Sequence, residues 1–184
     1  MKKLFRVNLE SQQFFANDLI KLNKAVKYVE EFINSDYFDS FVLGFSFTDQ
    51  DDSLVKHFHY TTFTNVEVLA IILSGSETLT PEVDNEADIK IELDTSWTRN
   101  VIGYTYPTTP WQWIYAKFFR NWSAEEVAGN IMHEYMHKLG FDHEYGWTFE
   151  REFSVPYALG YECEKYAKST GKKSYFERFK AYFQ

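Results

Sequence analysis

Two histidines four residues apart, His133 and His137, with a glutamate directly after the first, constrain this chain more than any other stretch. Residues four apart on an α-helix stand one above the other on the same face, so both imidazoles can offer a nitrogen to one metal ion. Glu134 is then turned toward the open side of that ion, where a general base belongs, and not into the coordination sphere. Gly140 follows, a residue able to take the left-handed conformation that ends a helix and turns the chain sharply back. That turn can bring His143 in as a third ligand. Three protein ligands and a fourth position left to water describe a catalytic zinc site, whereas a structural site would fill all four positions with protein groups.

The helix carrying these residues has its own start signal. Ser123-Ala124-Glu125-Glu126 is a capping box, with Ser123 as N-cap and Glu126 reaching back to it. On a helical wheel Ala128, Ile131, Met132, Tyr135 and Leu139 cluster on one side. Asn130, His133, Glu134 and His137 gather roughly opposite, on a wall that faces either water or a cleft.

Written as a pattern, the stretch His133 to His143 is H-E-x-x-H-x-x-G-x-x-H and resembles the metzincin clan of zinc endopeptidases. The resemblance implies an α+β zincin: a twisted, mostly parallel sheet with an antiparallel edge strand, packed on helices, and a small C-terminal helical subdomain below the cleft. It implies one catalytic domain over 1–184, with an N-terminal subdomain (1–140) carrying the zinc helix and a C-terminal subdomain (141–184). One Zn2+ ion would be held by His133, His137 and His143, and Glu134 would take a proton from water and pass it to the leaving amine. An extended peptide would lie along an edge strand, for which Ile102-Gly103-Tyr104-Thr105-Tyr106 is the candidate.

Metzincins also place a methionine turn beneath the metal, commonly within Ser-x-Met. Here the chain reads Ser154-Val155-Pro156-Tyr157, with Pro156 where the methionine would be, a departure from every well-known family of the clan. Tyr157, one residue further on, is a candidate oxyanion donor, as a tyrosine near that turn is in some metzincins. Asp142 beside a ligand is a candidate for orienting an imidazole. No cysteine precedes the zinc helix to act as a switch, because Cys163 is the single cysteine and lies downstream.

Elsewhere periodicity supplies the expectations. Phe5, Val7 and Leu9 alternate as a first strand, and Leu22, Val26, Val29 and Ile33 recur as an amphipathic helix. Phe41, Leu43, Phe45 and Phe47 alternate as a strand, with a hairpin to Val55–Phe63, where His57 and His59 share one face as a second, weaker metal pair. Val66 to Leu73, nearly all apolar, reads as a buried strand or a short helix behind Asn65, the helix being preferred. The acidic loop Ser76 to Asp88 reads as solvated, calcium being its less natural use because no Asp-x-Asp-x-Asp-Gly pattern is present. Ile89 to Leu93, Asn100 to Tyr106 and Trp113 to Phe119 read as strands, with Pro107 to Pro110 a loop. Ala158 to Ala167 and, past Gly171, Tyr175 to Tyr182 read as two helices.

At 184 residues the chain has the size of one domain, and its 18 Phe and 13 Tyr point to a ring-built core. The net charge of -8 opposes a phosphate backbone as main partner, so no nucleic acid is expected. A lone cysteine is expected to be a small buried apolar group, not half of a disulfide. Nothing approaches a membrane span and no signal core is legible at the amino terminus, so the expectation is a cytoplasmic protein or one released without a recognisable signal peptide. Two other functions compete with peptide hydrolysis. One is that of the bacterial YbeY-type zinc endoribonucleases, whose motif is similar to His-x-x-x-His-x-Leu-Gly-Phe-Asp-His but carries Gly where Glu134 stands. The other is a non-catalytic zinc-containing binding module, against which the intact Glu134 argues.

Overall fold

Alternation of apolar and polar side chains builds the sheet, and the sheet builds one wall of the site. In the computed structural model, which describes residues 4–47, 63–97, 101–143, 148 and 150–181, four strands form. They are β1 (Arg6–Gln12), β2 (Glu86–Asp94), β3 (Gly103–Thr105) and β4 (Trp111–Tyr115). Their order is β1-β2-β4-β3, with β1 parallel to β2, β2 parallel to β4, and β3 antiparallel to β4 at the edge. The architecture is therefore mixed α+β with an open, mostly parallel four-stranded sheet, as the sequence led us to expect.

Ala87, Ile89, Ile91 and Leu93 of β2 and Ile114 of β4 turn inward and are buried against the helices. On the outer face Tyr104 stacks on its cross-strand partner Trp113, ring centroids 5.1 Å apart and 12° from parallel. The Tyr104 hydroxyl donates to Asp94 (3.0 Å) and the Trp113 indole to Glu92 (3.1 Å). A strand of three residues has few ladder bonds, so this aromatic pair and its two carboxylate anchors are what keep the edge in register.

Six α-helices accompany the sheet among the described residues: α1 (Ala16–Ile33), α2 (Asp36–Gly44), α3 (Asn65–Ser74), α4 (Ala116–Asn121), α5 (Ala124–Lys138) and α6 (Val155–Ala181). Among the described residues no helix is long and apolar enough to cross a membrane. Helix α5 is the central one, packed between α1 and α6 and buried on nearly every side, including Val127, Ala128, Ile131, Met132 and Met136. Leu159, Cys163 and Ala167 of α6 belong to the same core, and Cys163 is fully buried, its thiol pushed up by that burial.

Two glycines let α5 and α6 meet. A Cβ at Gly129 would stand 2.8 Å from the Gly160 carbonyl oxygen, and one at Gly160 would stand 3.0 Å from that of Gly129 and 3.2 Å from the His133 Cβ. Gly129→Val therefore forces the helices apart and should cost about 1–3 kcal/mol, as overpacking a closed interface does. Urea unfolding checks this; an unchanged midpoint would mean the helices do not touch at this crossing.

Several expectations are corrected. Residues 41–44 belong to helix α2, not to a strand: Ser35 caps it by accepting from the Phe38 amide, and Phe38 and Val42, four apart, are the positions it buries. The alternating Phe run begins inside that helix and masks the cap. Strand β4 begins at Trp111 and stops at Tyr115, where the chain turns into α4. Lys21 covers the end of α4 with bonds to the carbonyls of Phe119, Arg120 and Trp122. Helix α3 forms as expected, though Thr64, not Asn65, is its N-cap; Asn65 instead donates to the Leu43 and Phe45 carbonyls at the end of α2. Helix α6 runs unbroken through Gly171 where two helices were expected. The hairpin through Val55 and the pair His57 and His59 lie outside the described residues.

Candidate metal centre

The site begins with the end of α5. Ser123 and Glu126 form the expected capping box at its start. At its other end Gly140 takes φ +93°, its amide donates to the His137 carbonyl (3.1 Å), and the Phe141 amide donates to that of Met136 (3.1 Å). This pairing of backbone bonds closes the helix and reverses the chain. His143 is thereby returned to the face that carries His133 and His137. One nitrogen from each of the three rings lies within 4.8 Å of the other two, the converging group of potential ligands found among the described residues.

The hydrogen bonds around the rings decide which nitrogens face inward. His137 Nδ1 stands 2.8 Å from the Phe141 carbonyl oxygen, which can only accept, so Nδ1 carries the hydrogen and Nε2 keeps a lone pair. The Pro156 carbonyl accepts from the His133 ring in the same way. His133 Nε2 and His143 Nε2 stand 3.3 Å apart. Two nitrogens bound at about 2.0–2.1 Å in a tetrahedral site are separated by about 3.4 Å, so the spacing and the all-imidazole donor set fit a metal ion.

Electrostatics agree with neutral, ligating rings. Burial, then the neighbouring His137 and His143 and the charge of Arg151, hold His133 well below the usual imidazole range. Burial and His143 push His137 down to about 3. Burial pushes the Glu134 carboxyl up to about 8, against the Lys138 charge and a hydrogen bond from Asn130. The signs predict the acid response of the metal-free protein. Below about pH 6.5 the unfolded chain takes up protons on His133 and His137 that the folded chain refuses down to about pH 3 for His137, so these two contributions fall with pH. Glu134 opposes them: folded, it binds a proton from about pH 8 downward, so its contribution grows as pH falls to the unfolded value of 4.5. Two groups against one leave a net loss of stability as pH falls below 6.5, with the summed contribution greatest near 6.5. Urea midpoints of the metal-free protein from pH 5 to 8 test this, and greater stability at pH 5 than at 6.5 would contradict it.

The other expected residues are close by. The Tyr157 ring packs edge-on against His133 and His143, centroids 4.5 and 4.7 Å away. Asp142 is nearly buried behind two of the histidines: one carboxylate oxygen accepts from the His143 amide (2.8 Å) and lies 3.6 Å from His137 Nδ1. Pro156 stands in the first turn of α6, where a missing amide hydrogen costs nothing. The carboxylates of the 76–88 loop do not converge as a calcium site would require among the described residues. Glu77 is turned inward, accepts from the Asp88 amide (3.1 Å), and is raised by burial.

His133, Glu134, His143 and Tyr157 open into one cleft of about 510 Å³. Its floor is the polar side of α5, one wall is residues 101–105 with the edge strand β3, and the other is the start of α6. The helix face expected to meet water or a cleft thus meets a cleft, closed so far that Glu134 is only 5% exposed. Two further residues shape it. The Asn130 amide bonds Glu134 one turn away and lies against the backbone of Gly103, where a Cβ would come within 2.8 Å of it. Lys138 gives its ammonium to three carbonyls of the β3–β4 connection, those of Tyr106 (3.2 Å), Thr109 (2.6 Å) and Trp111 (2.9 Å). Burial lowers Lys138 to about 8, with Glu134 opposing. The i,i+4 spacing of Asn130 to Glu134 was readable in advance, whereas no local pattern announces the acceptors of Lys138.

No protein-family model matches this chain, and no curated protein or solved structure matches it. The three-histidine cluster that could hold a metal stands on the geometry above.

Proposed function

We propose that the protein is a zinc-dependent peptide hydrolase. The observation that carries this reading is the convergence of three imidazoles, two of which, His133 and His143, line with the buried carboxyl of Glu134 a cleft walled by the edge of a sheet. Zinc suits three imidazoles with an open position, and when bound it supplies Lewis acidity toward a carbonyl and makes water acidic near neutrality.

The chain's own residues do the rest. His133, His137 and His143 act as neutral donors, each of the first two fixed in rotation by a backbone carbonyl behind it. Glu134 takes the proton of the attacking water and delivers it to the leaving amine. The Asn130 amide holds that carboxyl in place. Tyr157, with its ring against two ligands, donates a hydrogen bond to the developing oxyanion. A peptide is held in extended form along β3, whose outer side has no neighbouring strand among the described residues.

Mass spectrometry of a diverse peptide library incubated with the zinc-loaded protein tests the reading. Cuts that appear with zinc and disappear with chelator support it. An uncut library beside a degraded RNA substrate would transfer the site to nucleic-acid hydrolysis, and no change in either would leave a zinc-containing binding module.

A further inference from the structure

We propose that Arg151 recognises a carboxylate of the substrate, holding an acidic side chain or a free C-terminus beside the three histidines. The proposal rests on the reading of the cleft as a peptide site. Among the described residues that line the cleft, Arg151 is the single arginine or lysine, while Glu126 and Glu164 supply negative charge.

Position argues first. The Arg151 guanidinium lies 4.3 Å from the centroid of the Tyr157 ring, and that ring touches His133 and His143. The charge is therefore one ring away from the metal ligands. A guanidinium laid over an aromatic face keeps its N–H donors in its own plane, at the edge, where they suit the two oxygens of a carboxylate. The contact with the ring restrains the group beforehand, which reduces the entropy lost on binding.

The backbone is also held. Arg151 belongs to the short 3-10 turn Glu150–Phe153; its amide donates to the Thr148 hydroxyl (3.2 Å), and its carbonyl accepts from the Ser154 amide (3.1 Å) and hydroxyl (2.7 Å). Such a turn presents the side chain from a defined origin.

Charge distribution supplies the third argument. Glu126 precedes His133 by seven residues on α5, and Glu164 follows Tyr157 by seven on α6, a displacement of about 10 Å along each helix. Glu164 is further engaged by Lys168, 2.5 Å away. A carboxylate entering the cleft is repelled from that acidic end and attracted to Arg151, so the cleft orients its ligand as well as selecting it.

The test uses zinc-loaded Glu134→Ala protein, which binds without turnover, and fluorescent hexapeptides carrying Glu or Gln at each position in turn, with free or amidated C-termini. Anisotropy titrations should show about a tenfold or greater preference for the carboxylate form in one arm, which identifies whether side chain or terminus is bound. In the Glu134→Ala, Arg151→Gln protein the preference should vanish, and Arg151→Lys should restore only part of it. Equal affinity for both forms in both arms, no binding of either form, or a preference surviving Arg151→Gln would overturn the proposal. Wild-type cleavage of the same peptides separates the two claims, because cutting without carboxylate preference sinks the role of Arg151 and leaves the hydrolase standing.

Discussion

On the hydrolase reading proposed above, Glu134→Ala should still bind zinc and lose peptide turnover by about a thousandfold or more, within the range that a positioned acid–base group supplies. The expectation follows from where the carboxyl sits. It follows His133 directly, lines the cleft with it, and is absent from the cluster of three nitrogens that would bind the ion. Removing it would take away the proposed acceptor for the proton of water while leaving all three histidines in place. Folding should hardly suffer, because burial already disfavours this carboxylate and the substitution relieves that cost. Glu134→Gln, nearly the same shape, should lose as much activity, since an amide cannot carry the proton. Turnover of one cleaved peptide, measured beside zinc content by mass spectrometry, checks both parts. A residual rate within tenfold of wild type would assign the proton transfer to another group.

Stripping the metal should lower the melting temperature by roughly 8–16 °C when zinc is held about a thousandfold above its dissociation constant. Mass action at that excess gives about 4 kcal/mol, and a chain of this length shifts by about 2–4 °C per kcal/mol. The ion would join the body of α5 to the returning segment at His143, two parts otherwise linked through the reversal at Gly140. His137→Ala should abolish the difference between zinc-loaded and chelator-treated melts. It should also cost about 1–3 kcal/mol without metal, because the Phe141 carbonyl loses its donor in a nearly buried place. Calorimetry of both proteins with and without chelator decides the matter; a His137→Ala protein still stabilised by zinc would remove that residue from the ligand set.

The parts of this molecule that were legible in its sequence are those whose signals are local. His133, Glu134 and His137 share one helix turn, Gly140 and His143 follow within six residues, and Ser123 with Glu126 marks the helix start; all are found where the pattern puts them. The strands with clean alternation, β1 and β2, and the edge position of Gly103 to Thr105 are also present. What failed was the run of Phe residues ending at Phe47, whose period of two hides a helix buried through Phe38 and Val42. Lys138, Arg151 and Gly160 carry no local signal, because their roles depend on partners 27–32 residues away, on a ring in the next element, and on a helix that only tertiary packing brings near. Tertiary contacts of that kind do not leave a spacing to read.

The placement of the histidines also bears on the order in which the chain assembles. Sheet formation requires β1 to find β2 across a span such as Arg6 to Glu86, eighty positions apart, in a parallel pairing with everything from α1 to α3 in between. The three nitrogens are spread over only eleven residues, 133 to 143. Closing the shorter loop is cheaper by about 2 kcal/mol of chain entropy, and helix turns form in well under a microsecond against far slower long-range strand pairing. A nascent α5 with its reversal at Gly140 can therefore capture an ion before the sheet exists. The metal would then act as an early staple in folding, with the edge strand and α6 closing around a centre already formed.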